Sequence, residues 1–201
     1  MLPVLSLRTK SGLFIMVKKV SIYIDGANFY HGLKTIDHRY SDIFFDFEKF
    51  VKNIVGEDEL VNVYYYNAPL KENLNKYVYW NQMKFFGRLK KIDKFKVILC
   101  KRQKRLDGND NEYYVIKGDD IHLALDMLRD ACKNNYDKVI LVSGDGDFAP
   151  LVKYVKAEGK SVANYSFDGS ASRDLLKEFS EESLFVINKK TVNRFFWREN
   201  G

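Results

Sequence analysis

The chain has 201 residues, 46% apolar and 15% aromatic, which is enough for one domain with a full hydrophobic core and excludes intrinsic disorder as the default. Its 33 Lys and Arg outnumber 27 Asp and Glu, and the net charge of +6 suits a polyanionic ligand without requiring one. The opening segment MLPVLSLRTKSGLFIMV is broken by Arg8 and Lys10, so it has no run long enough to span a membrane and no convincing signal-cleavage site. The expectations are therefore a cytoplasmic setting and no membrane partner.

Met16 directly precedes VKKVSIYIDG, so residues 1–17 read as an N-terminal arm or upstream extension and 18–201 as a single domain. Residues 18–25 read as a first central strand, followed by a helix from Ala27 or Asn28 and a second helical stretch through FDFEKFVKNIV. LVNVYYYNA, rich in β-branched and aromatic residues, is a second strand. Residues 71–92 carry Leu74, Tyr77, Val78, Met83 and Phe86 at helical spacing and lead to a third strand, FKVILC. KRQKRLDGNDNEYY reads as a loop or hairpin. An amphipathic helix follows over 119–134, then a strand at 138–142, a helix at 147–158, a strand at 160–166, a short helix over SRDLLKEF and a last strand near SLFVIN. Strands alternating with helices predict an α/β domain whose central, mostly parallel sheet is covered on both faces.

Two strand ends carry acidic, glycine-containing turns: Asp25 in SIYIDGANFY, and Asp145 with Asp147 in ILVSGDGDFAPL. If those strands are neighbours, their carboxyl ends gather the aspartates at one crevice. Each has a plainer reading as a helix cap, strongest for Asp147, which precedes FAPLVKYV with Pro150 in the first turn, and weakest for Asp145. In KGDDIHLALD, Asp120 shares a face with Leu123, Ala124 and Met127, whereas Asp119 shares one with His122 and Asp126. Asp120 is accordingly the inward ligand candidate, Asp119 the cap, and Asp126 a structural acceptor. Clustered carboxylates repel one another and are best tolerated around a divalent cation. Asn28 and Ser143 lie in the same turns, and Lys117 just ahead of the third acidic segment reads as a partner of the carboxylates or of a substrate phosphate.

Lys101, Arg102, Lys104 and Arg105 follow the third strand and form a candidate phosphate-backbone track, or else a solvated face. Trp80, Phe85 and Phe86 have the spacing of core residues rather than of base-stacking ones. Cys100 and Cys132 lack metal or redox spacing and read as buried, inert thiols. His31, His38 and His122 share no ligand pattern, and neither a nucleophile elbow nor a phosphate-binding glycine loop is present.

Taken together, YIDGANFYHG, KGDDIHLALDML and DKVILVSGDGDFAPLVKYVKAEGKSV, in that order over residues 18 to 187, resemble the NYN domains of the PIN-like nuclease superfamily, especially the LabA-like branch. The resemblance implies a Rossmann-like three-layer α/β fold and a metal-dependent ribonuclease. Carried across by position, it implies a site of Asp25, Asp120, Asp145 and Asp147, with Asn28 and Ser143 beside it and Lys117 and Asp126 also matching. The expected cofactor is Mg²⁺ or Mn²⁺, and the expected partner is RNA, single-stranded, with self-association left open. A non-catalytic RNA-binding module is the alternative. A phosphatase using the D-x-D is disfavoured, because the first strand ends D-G-A-N with no second aspartate beside it.

Overall fold

The structure is a computed structural model that describes residues 6–8, 14–109 and 111–196. A short antiparallel pair, β1 (Ser6–Arg8) and β2 (Phe14–Met16), precedes the domain proper and pairs only with itself among the described residues. Then come β3 (Lys19–Asp25), α1 (Gly26–Ile36), α2 (Phe47–Val55) and β4 (Glu59–Asn67). Next are α3 (Lys76–Leu89), β5 (Phe95–Leu99), the hairpin β6 (Lys101–Leu106) and β7 (Glu112–Lys117), and α4 (Asp119–Cys132). The remainder is β8 (Lys138–Val142), α5 (Ala149–Ala157), β9 (Ser161–Phe167), α6 (Arg173–Leu176), β10 (Leu184–Ile187) and α7 (Lys189–Val192).

Six strands form one sheet in the order β10-β9-β8-β3-β4-β5, and all five pairings are parallel. Alternate side chains along each inner strand enter opposite layers, as the pleat requires. Ile22, Ile24, Val63, Tyr65, Ile140 and Val142 pack under α1, α2 and α3. Tyr23, Tyr64, Tyr66, Val139 and Leu141 pack under α4 and α5. Both faces being covered explains why these strands read as unbroken apolar runs rather than as alternating ones.

The predicted elements are present, with adjustments that have local causes. α3 begins at Lys76 rather than 71 because Asn75 caps it, accepting a hydrogen bond from Val78 N at 3.0 Å. Its first turns are not core: Leu74, Tyr77, Val78 and Trp80 are exposed, while Phe85 and Phe86 are buried. Trp80 therefore departs from the expected core position. Cys100 is buried as expected, but Cys132 is exposed at the last position of α4, where the helix runs out beyond the sheet. Among the described residues no helix is long and apolar enough to cross a membrane.

The layer beneath α4 contains a carboxylate that is fully compensated. Asp130 accepts hydrogen bonds from Tyr23 OH at 2.7 Å, Tyr64 OH at 3.0 Å and Asn135 Nδ2 at 3.2 Å, and pairs with Arg129 at 3.1 Å. Burial opposes its charge, but the two phenols and the guanidinium together hold its carboxyl below the usual range. Asp126 beside it accepts from Tyr66 OH at 3.0 Å and pairs with Arg129. Replacing Asp130 by Ala strands two buried phenols and should cost about 3 kcal/mol, lowering the thermal midpoint by roughly 6–12 °C. A calorimetric midpoint within 2 °C or so of the parent would show that the network contributes little.

Candidate active site

The sheet order makes one crevice unlike the rest. From β3 the chain runs outward through β4 and β5, then crosses back to β8 on the other side of β3 and continues to β9 and β10. The strand order reverses between β3 and β8, and the carboxyl ends of two such strands open the crevice where parallel sheets bind ligands. Ile24 stands opposite Val142, which brings the next residues, Asp25 and Ser143, together at the crevice floor.

Asp25 is 6% exposed. Its Oδ1 accepts from Asn28 N at 2.9 Å, capping α1, and its Oδ2 accepts from Ser143 Oγ at 3.0 Å. Cap and site residue are thus the same carboxylate. Ser143 Oγ also accepts from Asp145 N at 3.1 Å, and Asn28 Oδ1 accepts from Gly144 N at 3.0 Å, so the two strand-end turns are tied to each other. Below them, Asn164 Nδ2 donates to the Ser143 carbonyl at 2.8 Å from within β9. Gly144 is needed at this turn because a Cβ there would lie 2.6 Å from the Ser170 carbonyl oxygen.

Asp145 Oδ1 accepts from Asp147 N at 3.0 Å and caps a 3-10 turn over Gly146–Phe148. The capping expected of Asp147 therefore falls to Asp145, and Asp147 stands exposed. α4 also starts otherwise than expected. Gly118, at φ 87°, turns the chain into the helix without any side-chain cap, which frees Asp119 from that role. Asp119 is buried and Asp120 half-buried. Consecutive helical positions are separated by only about 100°, so both carboxylates reach the crevice side.

The aspartates act on one another's charge. Burial, reinforced by the charges of Asp119 and Asp145, pushes the Asp25 carboxyl up to about 6 against its hydrogen bonds from Asn28 and Ser143. Burial also pushes Asp120 up to about 7, with Asp119, Asp25, Asp145 and Asp147 all adding to the effect. Among the described residues none of these aspartates forms an ion pair, whereas Asp126 and Asp130 share Arg129. The crevice is a concentration of hard oxygen donors with uncompensated negative charge, which matches the preference of Mg²⁺ or Mn²⁺. No three His, Cys, Asp or Glu side chains among the described residues already surround one ion position.

The basic residues divide by face. Arg102 Nε donates to the Ala68 and Pro69 carbonyls at 3.3 and 3.1 Å and so pins the exit of β4. Lys104 pairs with Glu112. Both thus already have partners within the protein. Lys101 and Arg105 are exposed on the other face of the hairpin, and Lys101 lies directly opposite Lys117. Like charges placed opposite one another across a ladder destabilise it unless an anion lies between them. Lys117 forms no ion pair with the carboxylates among the described residues.

Residues 19–184 match the NYN domain family. The chain belongs to that family. It is also similar to the low amplitude and bright protein LabA of Synechococcus elongatus, 26% identical over 162 residues that cover 78% of each chain. A crystal structure of a protein of unknown function from Vibrio parahaemolyticus superposes with a TM-score of 0.66 at 28% identity, covering 90% of this chain and 97% of that one. Family membership makes a nuclease-like, RNA-related function the expectation for this NYN domain.

Two residues at the crevice carry roles the residue pattern did not indicate. Asp119 looked like a cap, and only the left-handed Gly118 shows that the helix needs none. Asn164 carried a usable signal, an amide in the middle of the apolar run SVANYSF. It is fully buried, with Oδ1 lacking a hydrogen-bond partner while Nδ2 supports the Ser143 turn.

The raised Asp120 carboxyl has a definite sign for stability. The folded value, about 7, lies above the ordinary 3.8, so the protonated group favours the fold fully below pH 3.8 and that contribution is lost as pH rises through about 7. Asp120→Asn should therefore raise the thermal midpoint of metal-free protein at pH 8 by roughly 2–4 °C, on the order of 1 kcal/mol after allowing for solvent screening. The gain should shrink to nothing towards pH 4. An equal gain at both pH values would remove charge repulsion as its cause.

Proposed function

We propose that the chain is a metal-dependent ribonuclease that hydrolyses RNA phosphodiester bonds at the aspartate crevice. The observation that carries this reading is a set of five aspartates, Asp25, Asp119, Asp120, Asp145 and Asp147, at one end of the sheet, where burial and then their mutual charge raise the carboxyls of Asp25 and Asp120 and where none of the five forms an ion pair among the described residues. Asp25 and Asp145 would hold a Mg²⁺ or Mn²⁺ ion, and Asp120 and Asp147 would hold a second one or orient waters of its outer shell. Such an ion, when bound, supplies a more acidic water and charge stabilisation for the phosphate and leaving oxygen. Asp119 adds charge from the buried side.

The chain's own groups set the geometry. Ser143 fixes Asp25 through Oδ2 and Asp145 through its backbone N–H, so the two ligands move as one unit. Asn28 holds the Gly144 backbone through Oδ1, and its Nδ2 remains for a substrate phosphate oxygen. Lys101, Lys117 and Arg105 on the hairpin supply a charge track for the flanking backbone, so binding weakens steeply with salt. The test is cleavage of a single-stranded RNA by purified protein with Mn²⁺. Asp25→Asn and Asp145→Asn should each lower the rate by at least about a hundredfold. Equal cleavage by wild type and both variants would assign the activity to a contaminant.

The spread of the carboxylates favours one other reading, an RNA-binding module that retains the crevice without turnover. It predicts salt-sensitive RNA binding with no cleavage under Mg²⁺ or Mn²⁺, and binding that survives Asp145→Asn.

A further inference from the structure

Beside the aspartate crevice lies a cavity of about 670 Å³ between α1, the start of α3 and the β6–β7 hairpin. Its volume is that of a small-molecule pocket, with room for a nucleoside. Its inner end includes Ala27 and Asn67. Ala27 adjoins Asn28 in the first turn of α1, and Asn67 follows Tyr66, the register partner of Asp25. The cavity lining therefore includes residues that adjoin the crevice turns in the chain and in the sheet register.

The walls are aromatic and come from separate elements: Tyr30 from α1, Tyr77 from α3 and Tyr114 from β7. Tyr77 is 77% exposed, Trp80 on the next turn is 53% exposed and Val78 is 41% exposed, so this end of α3 presents apolar surface that the core does not cover. The polar groups are those that read base edges. Asn81 and Gln82 line the cavity. Gln82 holds Leu70 N through Oε1 at 2.7 Å, which leaves its Nε2 as a donor. At the floor, the buried Asp42 accepts from Tyr65 OH at 2.8 Å and forms no ion pair among the described residues.

We propose that this cavity is a nucleobase subsite, in which one unpaired base adjoining the phosphate at the aspartates stacks against Tyr77 and Tyr114 and is read by Asn81 and Gln82. The inference rests on the reading that the crevice acts on RNA, and it adds the residues that would hold an unpaired base beside the cleaved phosphate. Flat aromatic surface, carboxamide donors and a guanidinium, here Arg102 in the same lining, are the combination by which proteins hold unstacked bases. A protein partner would use the same apolar end of α3, but it would leave the base-edge donors Asn81 and Gln82 inside the cavity without a role.

The experiment uses the full chain carrying Asp25→Asn, which should bind RNA without cutting it, and an eight-nucleotide RNA with 2-aminopurine at successive positions. Stacking should quench one position strongly. Adding Tyr77→Ala or Tyr114→Ala should remove that quench and weaken binding about tenfold with an unchanged salt slope, while Tyr77→Phe should retain both. The same RNA as a duplex should bind less tightly than the single strand. If both alanine variants bind and quench like the parent, the subsite is refuted and the ribonuclease reading stands. If they change only the sedimentation of the protein, α3 contacts a second copy and the subsite is again refuted. A position-specific quench lost in the alanine variants, with no Mn²⁺-dependent cleavage by the wild type, would keep the subsite and sink the nuclease reading.

Discussion

The repulsion among carboxylates at the β3–β8 crevice is the constraint on which the functional architecture turns. The local hydrogen bonds around it hold the carboxylates in place and relieve their charge only in part. Asp25 is fixed from two sides, by the first turn of α1 and by Ser143 on the neighbouring strand. The Ser143 turn is braced in turn by Asn28 and by Asn164 from the next strand. The clearest contrast lies within α4 itself. Asp130, about three turns along the helix, is surrounded by two phenols, an amide and a guanidinium, and its carboxyl is held below the ordinary range. Asp120 at the start of the same helix has only like charges among its named neighbours, and its carboxyl rises to about 7. One helix thus carries a carboxylate satisfied for stability and another left uncompensated, which is how perturbed groups at functional sites are recognised.

The strain at the crevice is sustained by the sheet beneath it. An all-parallel sheet buried on both faces has little freedom to slip, because a one-residue shift would exchange the side chains of its two layers. Ile22, Ile24, Ile140 and Val142 fill one layer while Tyr23, Val139 and Leu141 fill the other. Register fixed in this way carries through to the next residue on each strand, and those residues are Asp25 and Ser143. Packing therefore positions the site without any contact between the core side chains and a substrate.

Much of this was legible from residue pattern, for identifiable reasons. KVSIYID and KVILV announce strands because doubly covered strands are continuously apolar, and the acidic glycine turns after them mark their carboxyl ends. Long-range consequences were not legible. Trp80 has helical core spacing, but the first turns of α3 are not covered by the core, and nothing local in the sequence tells where coverage stops. Arg102 looked like one more cation in a basic run until the strand alternation of the hairpin turned it toward the Ala68 and Pro69 carbonyls, opposite to Lys101. The Asp119–Asp120 choice failed on a backbone dihedral: with Gly118 in the left-handed region, neither aspartate is drawn off as the cap, and both remain near the crevice.

The topology also explains why recognition chemistry gathers on one side. After β5 the chain has reached the sheet edge and must return past β4 to enter β8 beside β3. That return begins at the carboxyl end of β5, so the β6–β7 hairpin is laid down on the same rim as the aspartates before α4 crosses the face of the sheet. The hairpin is not part of the six-stranded sheet and is not bound by its register, so its sequence can vary in charge and aromatic content without disturbing the core. Its exposed face carries Lys101, Arg105 and Lys117, and Tyr114 closes the cavity toward α3. The placement of the aspartate cluster and of the hairpin on one rim are therefore both consequences of a single crossover.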